Sequence, residues 1–239
     1  MKKMILPIIF GLLLLAGCAP KAIPVEEAAD LFVEQLVYQK EDTDFEDNFQ
    51  NGADLKKGFE KNTTAFRDTF ATGLVAADGD VSEETANEIT ALLMDKVKSA
   101  TDYQIKVGEA EDGDSIRNVT YQVHGLDLVT VMKQTTQLVT AEMLKNTTLA
   151  KDEAKLQTET VKQLKHVLEA PPVKAEAVNV MLEMKPEKGQ WVIVGGQQAQ
   201  LEGLYLAFVA GVKDADTLST NWQAAQAELT KELEKQLQK

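Results

Sequence analysis

The chain has 239 residues, with 25 Lys and Arg against 38 Asp and Glu, a net charge of −13, two histidines and a single cysteine, Cys18. One cysteine excludes an intramolecular disulfide and a Cys-based zinc site, and His124 and His166 alone do not make a His-rich metal centre. The acidity argues against a nucleic-acid partner, because phosphate neutralisation needs a basic face, while 44% hydrophobic and 26% charged residues are the proportions of an ordinary globular chain.

Met1-Lys2-Lys3 is a short basic start, and the 14 residues from Met4 to Gly17 carry no charge. As a helix they would rise about 21 Å, short of the roughly 30 Å hydrocarbon core of a bilayer, so they read as a secretion signal rather than a permanent span. The stretch ends in Leu15-Ala16-Gly17-Cys18. At every position this resembles the lipobox of bacterial lipoproteins. The resemblance implies cleavage between Gly17 and Cys18, an S-diacylglycerol group on the Cys18 thiol, and an N-acyl group, such as palmitate, on the new N-terminus. Ala16 and Gly17 are small enough for the backbone to enter a peptidase cleft, and two acyl chains anchor durably where one binds marginally. It implies a protein held by lipid on the outer face of the cytoplasmic membrane. Cleavage removes Lys2 and Lys3, so 25 basic residues become 23 against 38 acidic ones and the net charge becomes −15. Anionic headgroups repel such a body, which leaves the lipid to hold it.

Residues 18–24 are then the lipidated cysteine and a short tether, with Pro20 and Pro24 favouring extended backbone. Residues 25–239 are expected to form one extracytoplasmic domain. From Val25 to about Lys40, Ala28, Ala29, Leu31, Phe32, Leu36 and Val37 recur at helical spacing, behind Glu26 and Glu27 in the first turn. An acidic connector with Phe45 and Phe49 follows. A second helix from Asp54 to about Ala77 puts Leu55, Phe59, Phe66, Phe70 and Leu74 on one stripe, Asp78-Gly79-Asp80 breaks it, and Ser82 opens a third helix carrying Ile89, Leu92, Leu93 and Val97.

The period then changes to two. Tyr103, Ile105 and Val107 alternate with polar residues, a turn lies at Glu111-Asp112-Gly113-Asp114, and Val119, Tyr121 and Val123 alternate again, which predicts a β-hairpin. Helical spacing returns over Leu126–Lys145 and Lys151–Glu169, and Pro171-Pro172 ends it. A second hairpin pairs Val178–Met184 with Gln190–Val194 across a turn at Pro186-Glu187-Lys188-Gly189, and Gly195-Gly196 closes it. An apolar helix holds Leu201, Leu204, Tyr205, Phe208 and Val209, and a last helix from near Ser219 carries Trp222, Ala225, Leu229, Leu233 and Leu237. The sum is an α+β fold, a four-stranded antiparallel sheet made of two hairpins and packed by about seven helices.

The early helix Ala28-Ala29-Asp30-Leu31-Phe32 and the late strand Gly189-Gln190-Trp191-Val192-Ile193 resemble a family of Gram-positive surface lipoproteins that carry a domain of unknown function. The resemblance implies a relation to cystatin-like and nuclear-transport-factor-like folds, in which a curved sheet wraps a helix and sometimes encloses a pocket. This chain has more helix than such small domains need.

Candidate sites carry ordinary readings. His124 ends the second strand on its polar face, and His166 lies on a helix, neither beside a nucleophile motif. Asp78-Gly79-Asp80 and Asp112-Gly113-Asp114 lack the spaced ligands of a calcium loop and read as turns. Asn62, Asn118 and Asn146 fit a glycosylation pattern that carries little weight in a bacterium. Gly195-Gly196 lacks the context of a phosphate loop, and the stripe Phe59, Phe66 and Phe70 reads as core before pocket. The last helix is expected to dock on its own domain. No residue is assigned to catalysis, a metal or a cofactor, and the functional residues named are Gly17 and Cys18.

The expected function is a non-enzymatic, membrane-anchored domain that binds an envelope ligand or protein. Two alternatives stand beside it. Scattered carboxylates would suffice for a glycosidase-type envelope enzyme. The segment from Phe10 to Gly17 resembles peptide pheromones released from lipoprotein signal peptides, although its leucines also suit an ordinary signal core.

Overall fold

The computed structural model describes residues 21–40, 44–75, 82–108 and 115–237. The segment expected to be a secretion signal, with Gly17 and Cys18, and the two Asp-Gly-Asp segments expected to be turns lie outside the described residues.

Helix α1, Val25–Leu36, places Ala28, Ala29, Phe32, Val33 and Leu36 in the core and ends four residues before the expected boundary. Gln39 takes a positive φ of 52° there, and the Lys40 ammonium pairs with the Glu34 carboxylate. The acidic connector is in part a short helix, α2, Asp44–Asn48. Its two aromatics cause this. Phe45 and Phe49 stack at 4.8 Å and meet Phe32 at 6.3 and 5.6 Å, an arrangement one helical turn supplies and an extended linker does not.

Helices α3, Gly52–Val75, and α4, Glu83–Ala100, follow as the apolar stripes require, the second capped by the Ser82 hydroxyl accepting from the Thr85 amide at 3.2 Å. Strands β1, Asp102–Val107, and β2, Arg117–His124, make the first hairpin. Helix α5, Leu128–Lys145, starts two residues later than its apolar pattern because Leu126 bridges Val173 and the Asp127 carboxylate caps the Thr130 amide at 3.1 Å. A 3-10 turn at Leu149–Lys151 leads to α6, Glu153–Glu169, capped by Asp152. Strands β3, Val178–Glu187, and β4, Gln190–Ile193, make the second hairpin, and α7, Gln198–Ala210, and α8, Ala215–Leu237, finish the chain.

The strands form one antiparallel sheet in the order β1-β2-β3-β4, so the α+β layout with two hairpins sharing a sheet is the fold. The second turn is shorter than its sequence indicates. Pro186 pairs with Trp191 inside the strand, and only Lys188 and Gly189 turn, with φ of 52° and 86°. Proline is tolerated because the last β2–β3 pair is Arg117 with Met184, leaving no ladder partner to miss its N–H.

Alternate residues Val119, Tyr121, Val123, Val180, Leu182 and Met184 face the core, where α1 and α7 cover the sheet. The phenol of Tyr121, wholly buried, donates to the Ala29 carbonyl at 3.1 Å. Helix α7 lies between the sheet and helices α4 and α5, and its residues Gly203–Tyr205 and Ala207–Ala210 are all buried. Beyond the end of β4 the buried Gln197 side chain continues the pairing, accepting from the Glu183 amide at 2.7 Å and donating to its carbonyl at 2.9 Å.

Candidate functional site

Three helix segments leave a space that their side chains do not fill. Phe70 comes from the last described turns of α3, Leu128, Val129 and Met132 from the start of α5, and Ala215, Leu218, Ser219 and Trp222 from the start of α8. With Thr69 they line a cleft of about 340 Å³, within the size range of small-molecule sites.

Each wall is fixed from behind. Phe70 stacks on Phe66 at 5.7 Å, and Phe66 meets the edge of Tyr205 at 5.8 Å. Burial pushes the Tyr205 phenol up to about 12, so it stays a neutral prop. The α5 wall is pinned by Asp127, which caps the helix and pairs with the Lys174 ammonium at 3.0 Å. The α8 wall starts at Asp214, whose carboxylate accepts from the Thr217 amide at 2.6 Å and is held below the usual range by hydrogen bonds from the Thr217 side chain and then its amide. Helix α8 then lies along α5, with Ala225 and Leu229 buried and Lys133 paired to Glu228 at 2.6 Å.

Among the described residues no titratable side chain lines this cleft, and its polar side-chain groups are the Thr69 and Ser219 hydroxyls and the Trp222 indole N–H. It can hold an apolar group and offer hydrogen bonds at its edge, and no acid, base or activated nucleophile stands among its described lining residues. Three other clefts are more polar. One of about 430 Å³ between α5 and α6 holds His166 and Glu169, one of about 370 Å³ between α1 and α3 holds Lys56 and Glu60, and one of about 190 Å³ between α5 and α8 holds Glu232. Among the described residues each of these three holds a single carboxylate, where a catalytic pair needs two. Asp152, Glu159, Glu187 and Glu228 are also held below the carboxylate range, chiefly by hydrogen bonds from Lys155, Gln163, Lys185 and Lys133. That is the direction of structural pairing, opposite to what a general acid requires.

The remaining sequence candidates occupy structural positions. His124 sits at the end of β2 with Nδ1 3.1 Å from the Lys174 carbonyl oxygen, and the exposed His166 pairs with Glu169 at 3.2 Å. Asn62 lies within α3, Asn118 within β2, and Asn146 ends α5, where its Oδ1 accepts from Thr148. Gly195-Gly196 is the turn from β4 into α7. The aromatic stripe divides: Phe59 packs on Phe32 at 5.9 Å in the core, whereas Phe70 reaches the cleft. Among the described residues no group of three or more His, Cys, Asp or Glu is placed to hold a metal ion, and no helix is long and apolar enough to cross a membrane.

Sequence reasoning missed the cleft because its walls are far apart in the chain. The available signal was Trp222, a large aromatic on a helix whose apolar stripe is narrow.

Residues 15–209 match the family described as a domain of unknown function, DUF5105. The chain belongs to this family. The DUF5105 match starts at Leu15, so it takes in Leu15-Ala16-Gly17-Cys18, and it stops within α7. The cleft therefore combines DUF5105 residues on α3 and α5 with an α8 wall that lies beyond the match. Among solved structures, the chain is similar to ycdA of Bacillus subtilis subsp. subtilis str. 168, described as a candidate lipoprotein, with 16% identity and a TM-score of 0.56. The alignment covers 77% of this chain and 55% of that one, so this DUF5105 protein spans about half the length of ycdA, and the likeness is one of fold. No curated protein matches the chain.

Proposed function

We propose that this DUF5105 protein is a non-enzymatic binding protein, anchored by lipid on Cys18 to the outer face of the cytoplasmic membrane, that holds the apolar part of a small envelope ligand. The observation that carries the binding reading is the uncharged cleft of Phe70, Leu128, Met132, Leu218 and Trp222. Concave, mostly apolar sites with a few edge hydroxyls are the usual form of small-molecule sites. Leu15-Ala16-Gly17-Cys18 supports the anchor.

The binding reading is tested with a soluble mature chain carrying Cys18→Ser, titrated with decanoate and with indole and followed by calorimetry. Saturable heat is expected from at least one probe, and Leu218→Asp, which puts a charge in the cleft wall, is expected to abolish it. Equal binding by the wild type and the Leu218→Asp chain would refute the site. The anchor is tested by the mass of the N-terminal peptide of the cell-made protein, which should carry a diacylglyceryl group absent from a Cys18→Ala chain.

A further inference from the structure

The tether is not free along its whole length. Trp191, on the inner face of β4 and 5% exposed, donates from Nε1 to the Ile23 carbonyl at 2.9 Å. Ala22 and Ile23 pack against the core, and Pro24 accepts the first helical hydrogen bond of α1 from the Ala28 amide at 3.0 Å. The body therefore grips the chain at Ile23, five residues after Cys18. At a maximum of about 3.6 Å per residue, that leaves a reach of about 18 Å between the acylated residue and the grip.

The grip lies at one end of the sheet. Trp191 is two residues from the Lys188-Gly189 turn, and α2 is fastened beside it. The Gln50 amide donates to the Trp191 carbonyl at 3.0 Å, and the Gln190 side chain donates to the Asp47 carbonyl at 2.9 Å. From this end β3 runs back over ten residues to Val178. At about 3.3 Å per residue its far end is about 30 Å away. Cys18 cannot reach that end.

From this geometry, and resting on the reading of Cys18 as the lipid anchor, we infer that the protein stands end-on at the bilayer. The β3–β4 turn and α2 face the lipid headgroups, and the end with His124, Lys174 and the start of β3 faces outward. Repulsion between anionic lipid and a body of net charge −15 opposes a flat pose, and because α2 itself carries Asp44, Glu46 and Asp47, it is the short tether and not charge that sets which end is near. The outward end, with the N-terminus of α5 behind it, is then the part offered to the surroundings.

The test uses the natively acylated protein, in which the Cys18 sulfur is a thioether and an engineered cysteine is the only free thiol. Lys188→Cys at the turn and Glu176→Cys near the start of β3, both exposed positions, each receive a nitroxide label. The proteins are placed in vesicles of phosphatidylglycerol and phosphatidylcholine that contain a nickel-chelating lipid. The label at 188 should show roughly threefold or more the collision with headgroup nickel of the label at 176, given a reach of about 18 Å against a further 30 Å. Equal collision, or the reverse order, overturns the orientation. Inserting a long Gly-Ser spacer between Ala19 and Pro20 leaves the fold untouched and should erase the difference. A difference that survives the spacer overturns the tether as its cause. The mass of the N-terminal peptide is measured on the same samples, so an unacylated Cys18 is recognised separately and overturns the anchor together with the orientation.

Discussion

Gly125 follows β2 at the point where the chain passes closest to α7. A Cβ built there would lie 1.7 Å from the Ala207 carbonyl oxygen, 2.8 Å from its carbon and 2.9 Å from the Phe208 oxygen. An ordinary carbon–oxygen contact is about 3.3 Å, so Gly125→Ala forces a backbone separation of roughly 1.6 Å. Neither side yields easily. The Leu126 amide donates to the Phe208 carbonyl at 3.0 Å, the Lys174 amide donates to the Gly125 carbonyl at 2.9 Å, and the facing stretch Ala207–Ala210 of α7 is buried. Overpacking costs about 1–3 kcal/mol, and losing the Leu126 bond leaves a buried amide unpaired for about 1–3 more, so the expected destabilisation is about 4 kcal/mol. For a chain of this length that lowers Tm by roughly 8–16 °C. Urea unfolding followed by circular dichroism should show a lower midpoint with an unchanged slope. Gly58→Ala, on α3 with nothing within 4 Å of the new Cβ, is the control and should gain about 0.5–1 kcal/mol from helix propensity. A Gly125→Ala chain within about 0.5 kcal/mol of wild type would refute the close approach.

The four tyrosines, Tyr38, Tyr103, Tyr121 and Tyr205, are all raised above the usual phenol value, chiefly by burial, with Asp30 also accepting from the Tyr103 hydroxyl at 2.5 Å. A raised folded pKa contributes stability that is fully present below the unfolded value near 10 and is lost as pH climbs through the folded value. Tyrosinate absorbance should therefore appear in one step together with loss of far-ultraviolet dichroism; a separate titration near pH 10 in a folded protein would contradict it. Truncation after Asp216 removes the buried Ala225 and Leu229 and half-buried Trp222, and should cost roughly 2–4 kcal/mol in thermal unfolding. An unchanged Tm would show that the rest of the domain gains no stability from α8 and would refute its docking on α5.

The change of apolar period at Tyr103 and again at Val178 was sufficient to find both hairpins, because β strands with one buried face alternate whatever their partners are. Joining the hairpins into one sheet followed from the instability of either alone. What stayed hidden was decided by distant contacts. Phe45 and Phe49 read as interruptions of an acidic connector until Phe32 gave them a partner, and Pro186 read as a turn until the short reach of β2 showed that its missing N–H was not needed. The Trp191–Ile23 bond joins residues 168 positions apart, and the cleft joins three helices. No local pattern encodes either.

Helix α7 has no solvent face over Gly203–Tyr205 or Ala207–Ala210, whereas α8 buries Ala225 and Leu229 and leaves much of its length in water. That difference in burial predicts two opening units in hydrogen exchange: amides in the middle of α7 should be released only by global unfolding, and those of α8 by local departure from α5. The cleft lies where α8 meets α5, with Leu128 on one side and Trp222 on the other. It can therefore widen without the sheet losing a bond. A bound ligand would join the two units, so that occupancy registers as slowed exchange along α8, well beyond the residues it touches.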